Sequence, residues 1–515
     1  MRVLLVSPGQ KPSLYSFDET ADITGCAAYM PNVALPTLAA LAPSDADVTI
    51  VDERVEDIEP YSSERWDVVG ITGYFTHRDR MLELAEVFRR HGNLVAIGGP
   101  YATLSSSTVR PHADILFIGE AERTWPQFLS DLRAGSWKSE YREVDTVDLD
   151  HSPLPAMGKL KGGAYTTGVV QTSRGCPFEC EFCDVIAYLG RRQRYKRPER
   201  VVAEIEQLYQ LGYREIFLAD DNLTAHRKRA KSILEAIRQW NRGKPERATF
   251  GTQVSIDAAR DPVLLDLAAE VGIRQAFIGI ETPNHEALRQ ARKQQNLRPD
   301  LIADIRAFQR RGICIEAGII TGFDADTKDS FRVQLEFLQQ AGIPAVLVNM
   351  LMALDGTPLE RRLRAEHRLR TLNEVDGWTD TNIIPKQMTL QELQYGTQWL
   401  LNKLYTPDAF LQRVAVLAKH SPEASAVASW NPRRFAFVWK NLLRAYADLG
   451  AEFSSIPREV VKMFHDKYGH VPGLSLIIHV HNVRILRKQG LWDATLAQLE
   501  VPDFESLAET DGLAV

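Results

Sequence analysis

The sequence predicts an α/β protein in three parts: an open doubly wound (Rossmann-like) parallel sheet, a partial (β/α)6 barrel, and a helical C-terminal domain. Short β-branched runs alternate with amphipathic, helix-length stretches as far as Met350, and beyond it only helical periodicity remains. A proline-punctuated stretch with little periodicity, around Ser152-Pro153-Leu154-Pro155, divides that alternation into two series. A chain of 515 residues, 44% apolar and 25% charged, suits a globular protein of two or three domains.

The first series spans 1–145. Its strands are expected at Arg2–Ser7, Asp47–Asp52, Asp67–Thr72, Leu94–Gly98 and Asp114–Ile118, with helices at Ala34–Leu41, Arg78–His91 and Thr124–Gly135. Ligands of such sheets sit beyond the carboxyl ends of the strands. Those ends carry Ser7-Pro8-Gly9, Thr72-Gly73-Tyr74, Gly98-Gly99-Pro100 and Gly119-Glu120. Glycines there let a ligand approach the backbone; as ordinary turn glycines they need no ligand. Residues 146–165 are expected to form a linker. The second series, 166–355, has strands at Thr167–Thr172, Glu215–Ala219, Thr249–Val254, Gln275–Ile280, Ile313–Ile320 and Ala345–Met350. Helices are expected at Pro198–Leu211, His226–Trp240, Asp261–Val271, Pro299–Arg311 and Lys328–Ala341. Six strand–helix repeats favour a partial barrel, whose chemistry lies at the C-terminal ends of its strands. In 356–515 the periodicity predicts helices at Leu390–Lys403, Pro407–Lys419, Pro432–Leu449 and Pro457–Tyr468, with apolar stripes that read as core.

A formal charge of −6 argues against a general nucleic-acid binder. The basic run Arg191–Arg197 reads as solvated surface or as contacts to one anionic ligand. No run of about 18 apolar residues predicts a transmembrane segment, and Met1–Pro8 reads as a first strand rather than a signal peptide, so a cytoplasmic protein is expected. Five cysteines, three of them in the run Cys176–Cys183, argue against a disulfide framework and for a metal site in a reducing compartment.

That run is Thr172-Ser173-Arg174-Gly175-Cys176-Pro177-Phe178-Glu179-Cys180-Glu181-Phe182-Cys183, at a strand-to-loop transition. Thiolates at such spacing let one loop wrap an iron–sulfur cluster, and three ligands leave one iron open for chemistry. A zinc site completed by a remote ligand, or three unrelated buried cysteines, are the alternatives. Cys314 reads as a small buried hydrophobe.

Cys-x-x-x-Cys-x-aromatic-Cys after the first barrel strand resembles the signature of the radical S-adenosylmethionine (SAM) superfamily. The resemblance implies that Cys176, Cys180 and Cys183 ligate a 4Fe–4S cluster whose open iron binds SAM, and that Phe182 contacts the adenine region. It also implies cleavage of SAM to a 5′-deoxyadenosyl radical, with electrons from an external donor such as flavodoxin or ferredoxin. Leu218-Ala219-Asp220-Asp221-Asn222 stands where the superfamily commonly has a Gly-Gly-Glu motif for the SAM amino group. The glycines are missing, so the resemblance carries that role to Asp220 and Asp221; a helix N-cap is the other reading of Asp221 and Asn222. Ser255 and Glu281 resemble positions that contact the ribose or methionine part of SAM, and Gly318 and Gly322 resemble the glycines beside its adenine.

The N-terminal motifs Val6-Ser7-Pro8, Pro31–Ala39, Val51-Asp52-Glu53, Ile97–Thr103 and Ile118–Glu122 resemble the cobalamin-binding subclass. Contacts to cobalamin are thereby implied at Ser7, Thr72, Gly73, Gly98, Gly99, Gly119 and Glu120. The Asp-x-His-x-x-Gly signature is absent, and Tyr101 replaces the histidine often found after the paired glycines. A domain that no longer binds cobalamin is the alternative. In the barrel, Asp220-Asp221-Asn222, Gly279-Ile280-Glu281-Thr282-Pro283, Lys293-Gln294-Gln295-Asn296 (otherwise a polar loop) and Gly322-Phe323-Asp324 together resemble the branch containing hopanoid methylases and archaeal lipid ring-forming enzymes. The resemblance implies methyl transfer to an unactivated carbon of a small or lipid-like substrate. Cyclisation, other C–C bond formation, oxidation, and a noncatalytic cobalamin- or SAM-binding sensor are the competing readings.

Overall fold

The first series forms a six-stranded parallel sheet in the computed structural model, which describes residues 1–371, 375, 378–422, 432–464 and 473–505. Its strands are β1 (Arg2–Ser7), β2 (Asp47–Asp52), β3 (Val68–Thr72), β4 (Val95–Gly98), β5 (Ile115–Ile118) and β6 (Glu140–Arg142), in spatial order β2-β1-β3-β4-β5-β6. The continuous run Val3-Leu4-Leu5-Val6 is wholly buried because both faces are covered. Leu4, Val6 and Ile71 pack with Met81 and Phe88 of the helix Arg78–Arg90; Val3 and Leu5 pack with Trp125 and Phe128 of the helix Thr124–Arg133. Because β1 lies between β2 and β3, the strand order reverses there, the point at which open sheets of this kind take their ligands beyond the carboxyl ends of the strands.

Two features were not expected. The edge strand β6 has three residues, of which only Tyr141 is buried, too few for an alternation to register. The predicted linker at 146–165 is packed: Val147, Leu149, Met157 and Tyr165 are all buried.

The second series contains β7 (Gly168–Val170), β8 (Ser173–Arg174), β9 (Arg194–Tyr195), β10 (Glu215–Leu218), β11 (Thr249–Gln253), β12 (Ile273–Glu281), β13 (Cys314–Thr321) and β14 (Ala345–Met350). β7 pairs with β10 in parallel, and β11, β12, β13 and β14 pair in parallel in that order. Helices fill each predicted interval between the strands. β8 and β9 form a short antiparallel ribbon that periodicity does not reveal. Accessibility alternates along β11 and β12: Gly251, Gln253, Gln275, Phe277 and Gly279 are half-buried, whereas Phe250, Thr252, Ala276, Ile278 and Ile280 are buried. The buried set lies under helices, and the half-buried set faces inward, as in a barrel wall.

Beyond the barrel come helices Pro358–Ala365, Leu390–Leu404, Pro407–His420, Pro432–Asp448, Ile456–Met463 and Gly473–Lys488. Thr389 and Glu392 form a reciprocal cap at the start of Leu390–Leu404. The predicted helix Pro457–Tyr468 is observed as Ile456–Met463, and its last four residues lie outside the described ones. Gly473–Lys488 is buried almost all round, so it carries no narrow apolar stripe to announce it. Among the described residues no helix is long and apolar enough to cross a membrane.

By packing, the chain falls into two compact units. One compact unit comprises Met1–Lys11, Cys26–Pro177 and Asp184–Leu223; the other comprises Pro12–Gly25, Phe178–Cys183 and Thr224–Val515.

Gly99 has φ +92°, and a Cβ there would collide with Thr72 Oγ1 and lie 3.4 Å from the Gly73 backbone. Gly99→Ala is therefore expected to cost about 2–3 kcal/mol. Gly158, with open space around it, should tolerate alanine within about 0.5 kcal/mol. Urea unfolding followed by circular dichroism checks both.

Candidate functional site

In the first unit, the loop that begins the cysteine motif has no extended ladder to satisfy its amides, and two carboxylates do so instead. Asp220, fully buried after β10, accepts from Thr172 N at 2.8 Å, from Thr172 Oγ1 at 2.6 Å and from Ser173 N. Asp221 Oδ2 accepts from Gly175 N at 2.8 Å. Gly175 has φ +87°, and a Cβ there would lie 3.0 Å from the carbonyls of Gly190 and Arg192. Cys176 N reaches the Gly190 carbonyl at 3.4 Å. Burial pushes both Asp220 and Asp221 up to about 6. Both oxygens of Asp220 are engaged by the loop, so of this pair Asp221, with one oxygen bonded, is the carboxylate with capacity for a ligand. Neither Asp221 nor Asn222 caps a helix, since the next one starts at Arg227.

Glu120, expected among ligand contacts, is occupied by arginines. It pairs with Arg174 Nη1 at 2.7 Å and Arg194 Nη1 at 2.6 Å, and accepts from Val147 N at 3.1 Å. Arg174 also pairs with Glu122 at 2.6 Å. Burial alone would raise the Glu120 carboxyl, but the two guanidiniums outweigh it and hold it below the usual range. The ribbon β8–β9 brings these arginines together. The basic run is thus not simply solvated surface, since Arg194 is half-buried and Lys196 forms a buried pair with Glu204 at 2.6 Å.

Ser7, Thr72, Gly73, Gly98, Gly99 and Gly119 lie at the carboxyl ends of the adjacent strands β1, β3, β4 and β5. Gly119 has φ +84° and donates to Thr103 Oγ1 at 3.0 Å. Tyr74 stands at the same edge. Its phenol is raised by burial and by Asp221 and Asp184, although 52% of its surface is accessible.

In the second unit, Cys180 is buried and its Sγ accepts from Gln295 Nε2 at 3.4 Å. Cys183 N donates to the Cys180 carbonyl at 3.1 Å. The Phe182 ring meets Phe323 edge-on at 6.1 Å, with Lys293 Nζ 5.7 Å over its centroid. Glu181, buried, takes Arg362 Nη2 at 2.7 Å and Nε at 3.1 Å. Arg362 also reaches Asp324 at 2.7 Å, which Arg368 joins at 2.6 Å. Only context identifies this cluster, because Arg362 and Arg368 come from a part of the chain without a motif.

Glu281 ends β12 with φ +65°, a backbone rarely adopted by a glutamate, and pairs with Lys293 Nζ. Burial lowers the Lys293 ammonium, but Glu281, together with Cys180 and Cys183 as thiolates, raises it above its ordinary value. Asn296, fully buried, donates to the carbonyls of Gly279 and Ile280 at 2.8 and 2.9 Å. The stretch Lys293–Asn296 is therefore no mere polar loop. Gly318 lies in β13, where a Cβ would stand 3.1 Å from the Phe277 ring; Gly322, φ +98°, donates to Asp326 Oδ2 at 2.9 Å. Ser255 is engaged by Asp257 at 2.6 Å. Cys314, expected as a small buried hydrophobe, is only half-buried at the start of β13, and its enclosed thiol is raised by burial.

Residues 170–352 match the Radical SAM superfamily, and 357–451 match a domain of unknown function, DUF4070. An uncharacterized methyltransferase, sll1242, of Synechocystis sp. is 33% identical over 80% of this chain and 78% of its own length. The chain belongs to the radical SAM superfamily. The hopanoid C-2 methylase of Rhodopseudomonas palustris is 28% identical over 82% of this chain and 80% of its own. Among solved structures, the methyltransferase TsrM from Kitasatospora setae, with cobalamin and a [4Fe-4S] cluster bound, has TM-score 0.59 at 15% identity, covering 95% of this chain and 99% of that one. The cobalamin-dependent enzyme OxsB has TM-score 0.62 at 14% identity, covering 100% and 81%.

The donor set fits the cluster implied by a radical SAM domain. All five cysteines are free of disulfides. Among the described residues no three His, Cys, Asp or Glu side chains are grouped for a single metal ion. Ligands of a cubane sit on separate irons and stand farther apart than ligands sharing one ion.

Asp220→Asn turns an amide N–H toward backbone donors that need an acceptor, at a cost of about 1–3 kcal/mol. We expect iron bound after anaerobic reconstitution to fall, with the far-ultraviolet circular dichroism little changed.

Proposed function

We propose that the protein is a cobalamin-dependent radical SAM methyltransferase acting on an unactivated carbon of a small or lipid-like substrate. The observation that carries the reading is the cysteine loop, with Asp220 and Asp221 fixing its start and Glu181 and Gln295 engaging its later part. Cys176, Cys180 and Cys183 hold the cluster through their thiolates. When bound, the cluster supplies the electron that cleaves SAM, and cobalamin supplies the methyl group.

The chain's own residues bind and orient. Asp221 receives the SAM ammonium in a charge-assisted hydrogen bond. Glu281, held by Lys293, presents a carboxylate at the end of β12 to the polar part of SAM. Gly318 in β13 and Gly322 just after it leave room for the adenine, and Phe182 would offer its backbone there. The glycines at the ends of β3, β4 and β5 allow the corrin to approach the backbone, with Ser7 and Thr72 beside them. Glu120, engaged by Arg174 and Arg194, orients the cysteine loop. Similarity to hopanoid C-2 methylase and to the bacteriochlorophyllide d C-12(1)-methyltransferase of Chlorobaculum tepidum, 25% identical, supports a largely apolar substrate. Flavodoxin or ferredoxin supplies electrons.

Protein prepared without oxygen and with cobalamin supplied should carry about four irons per chain and show cobalamin absorption bands. With reductant it should release 5′-deoxyadenosine from SAM and move labelled methyl into product. Cys180→Ala should lose both the iron and the release. Iron-free wild-type protein overturns the reading; 5′-deoxyadenosine without methyl transfer confines it to another radical reaction.

The Asp221 carboxyl, at about 6, is largely protonated at pH 5 and ionised at pH 7. Affinity for SAM, measured by equilibrium dialysis, should therefore rise across that window, and Asp221→Asn should flatten the rise.

A further inference from the structure

The helix Pro432–Asp448, in the second unit, has two halves of different character. Its later half packs: Leu442, Ala445 and Tyr446, with Leu449 just beyond, are buried at the spacing of one helix face. Its earlier half does not. From Arg433 to Asn441 no residue is buried, although the run Phe435-Ala436-Phe437-Val438-Trp439 is wholly apolar. Phe435 is 41% and Phe437 49% accessible. An exposed helix half is ordinarily polar, so a contiguous apolar run there marks a contact surface.

This half is held against its own unit. The Phe437 ring rests on Gly25, which has φ +74° and where a Cβ would stand 3.1 Å from the ring. Gly25 ends the segment Pro12–Gly25, which packs in the same unit. Away from that support, the Phe435 and Trp439 rings stack one turn apart, with centroids 6.1 Å apart and planes at 8°. Leu443 continues their i, i+4 row, and the next row carries Lys440 and Arg444 at the same spacing. With Arg433 and Arg434, the stretch Arg433–Ala447 holds four cations and no acid, on a chain whose formal charge is −6.

Aromatic rings beside cations suit the boundary between water and anionic lipid, where the rings enter the headgroup region and the cations meet phosphates. The same charges disfavour a second copy of this chain as the occupant, because a two-fold contact sets the cations against their own kind. At 17 residues the helix is also too short and too charged to cross a bilayer, so it lies along one. We propose that the first half of Pro432–Asp448 is a membrane-contact surface: Phe435 and Trp439 enter the headgroup region of an anionic bilayer, Lys440 and Arg444 meet lipid phosphates, and Arg433 and Arg434 add to the positive field. The surface goes beyond the methyltransferase reading and does not depend on it, although it brings the enzyme to where a lipid-like substrate is dissolved.

The test sediments the whole, cluster-loaded chain with vesicles of phosphatidylcholine alone or with roughly a third phosphatidylglycerol. The wild type should partition onto the anionic vesicles at least about tenfold better than onto the neutral ones, and lose most of that advantage at high salt. Lys440→Glu with Arg444→Glu should abolish the preference, and Phe435→Ser with Trp439→Ser should weaken binding to anionic vesicles by about tenfold. None of these four side chains is buried, so iron per chain and far-ultraviolet circular dichroism should stay at wild-type values in both variants. Equal partition of the wild type onto both vesicles overturns the membrane surface without any variant. Unchanged binding by the folded Phe435→Ser, Trp439→Ser protein overturns it too, leaving only a general anion patch. Dimerisation that this variant abolishes, in the absence of vesicle binding, assigns the face to a second copy and also overturns the proposal. Because no turnover is read, failure of the methyltransferase reading leaves each of these outcomes untouched.

Discussion

An irregular loop that must present three thiols has few backbone partners of its own, so its amides need acceptors from elsewhere. Buried carboxylates are that acceptor. Asp220 takes three donors from Thr172 and Ser173, Asp221 takes one from Gly175, and farther along Glu181 ties the loop to Arg362. Each is costly to bury unless fully engaged. The loop and its carboxylates are therefore mutually dependent: the acids are tolerated because the loop donates to them, and the loop keeps its shape because they accept. This accounts for acids at a place where the superfamily commonly has glycines and a glutamate.

Charge is arranged along the same lines throughout the site. Arg174 and Arg194 meet Glu120, Lys293 meets Glu281, and Arg362 and Arg368 meet Asp324. Buried pairs of this kind add little net stability, but leaving either partner alone is costly. Their main consequence is geometric, because few alternative loop conformations satisfy every charge.

Much of the architecture was legible because strands buried on both faces are continuous apolar runs, and Arg2–Ser7, Asp47–Asp52 and Ala345–Met350 match their predicted limits. The cysteine spacing was legible because it is local. What escaped was short or non-local. β6 and the β8–β9 ribbon have too few residues to carry a period, and the ribbon is what turns part of a basic run inward. Asp220 was seen as a ligand partner, but which way a carboxylate points depends on a loop 48 residues away in sequence, at Thr172. Arg362 and Asn296 take their importance from neighbours far along the chain, and no spacing rule encodes that.

The segment Pro12–Gly25, which packs in the second unit and is tied through Asp22 and Glu19 to Arg484 and Lys488 of the helix Gly473–Lys488, also bears on how the molecule comes into being. His481 and Ser13 are 468 positions apart, so the ribosome makes Ser13 long before its partner exists. At about 5–20 residues per second, the early segment waits on the order of half a minute or more for its anchor. Closing so long a loop carries a large entropic cost and comes late. The second unit therefore reaches its finished form only after Gly473–Lys488 has been made, and a chain truncated before that helix lacks the partners of Ser13, Glu19 and Asp22.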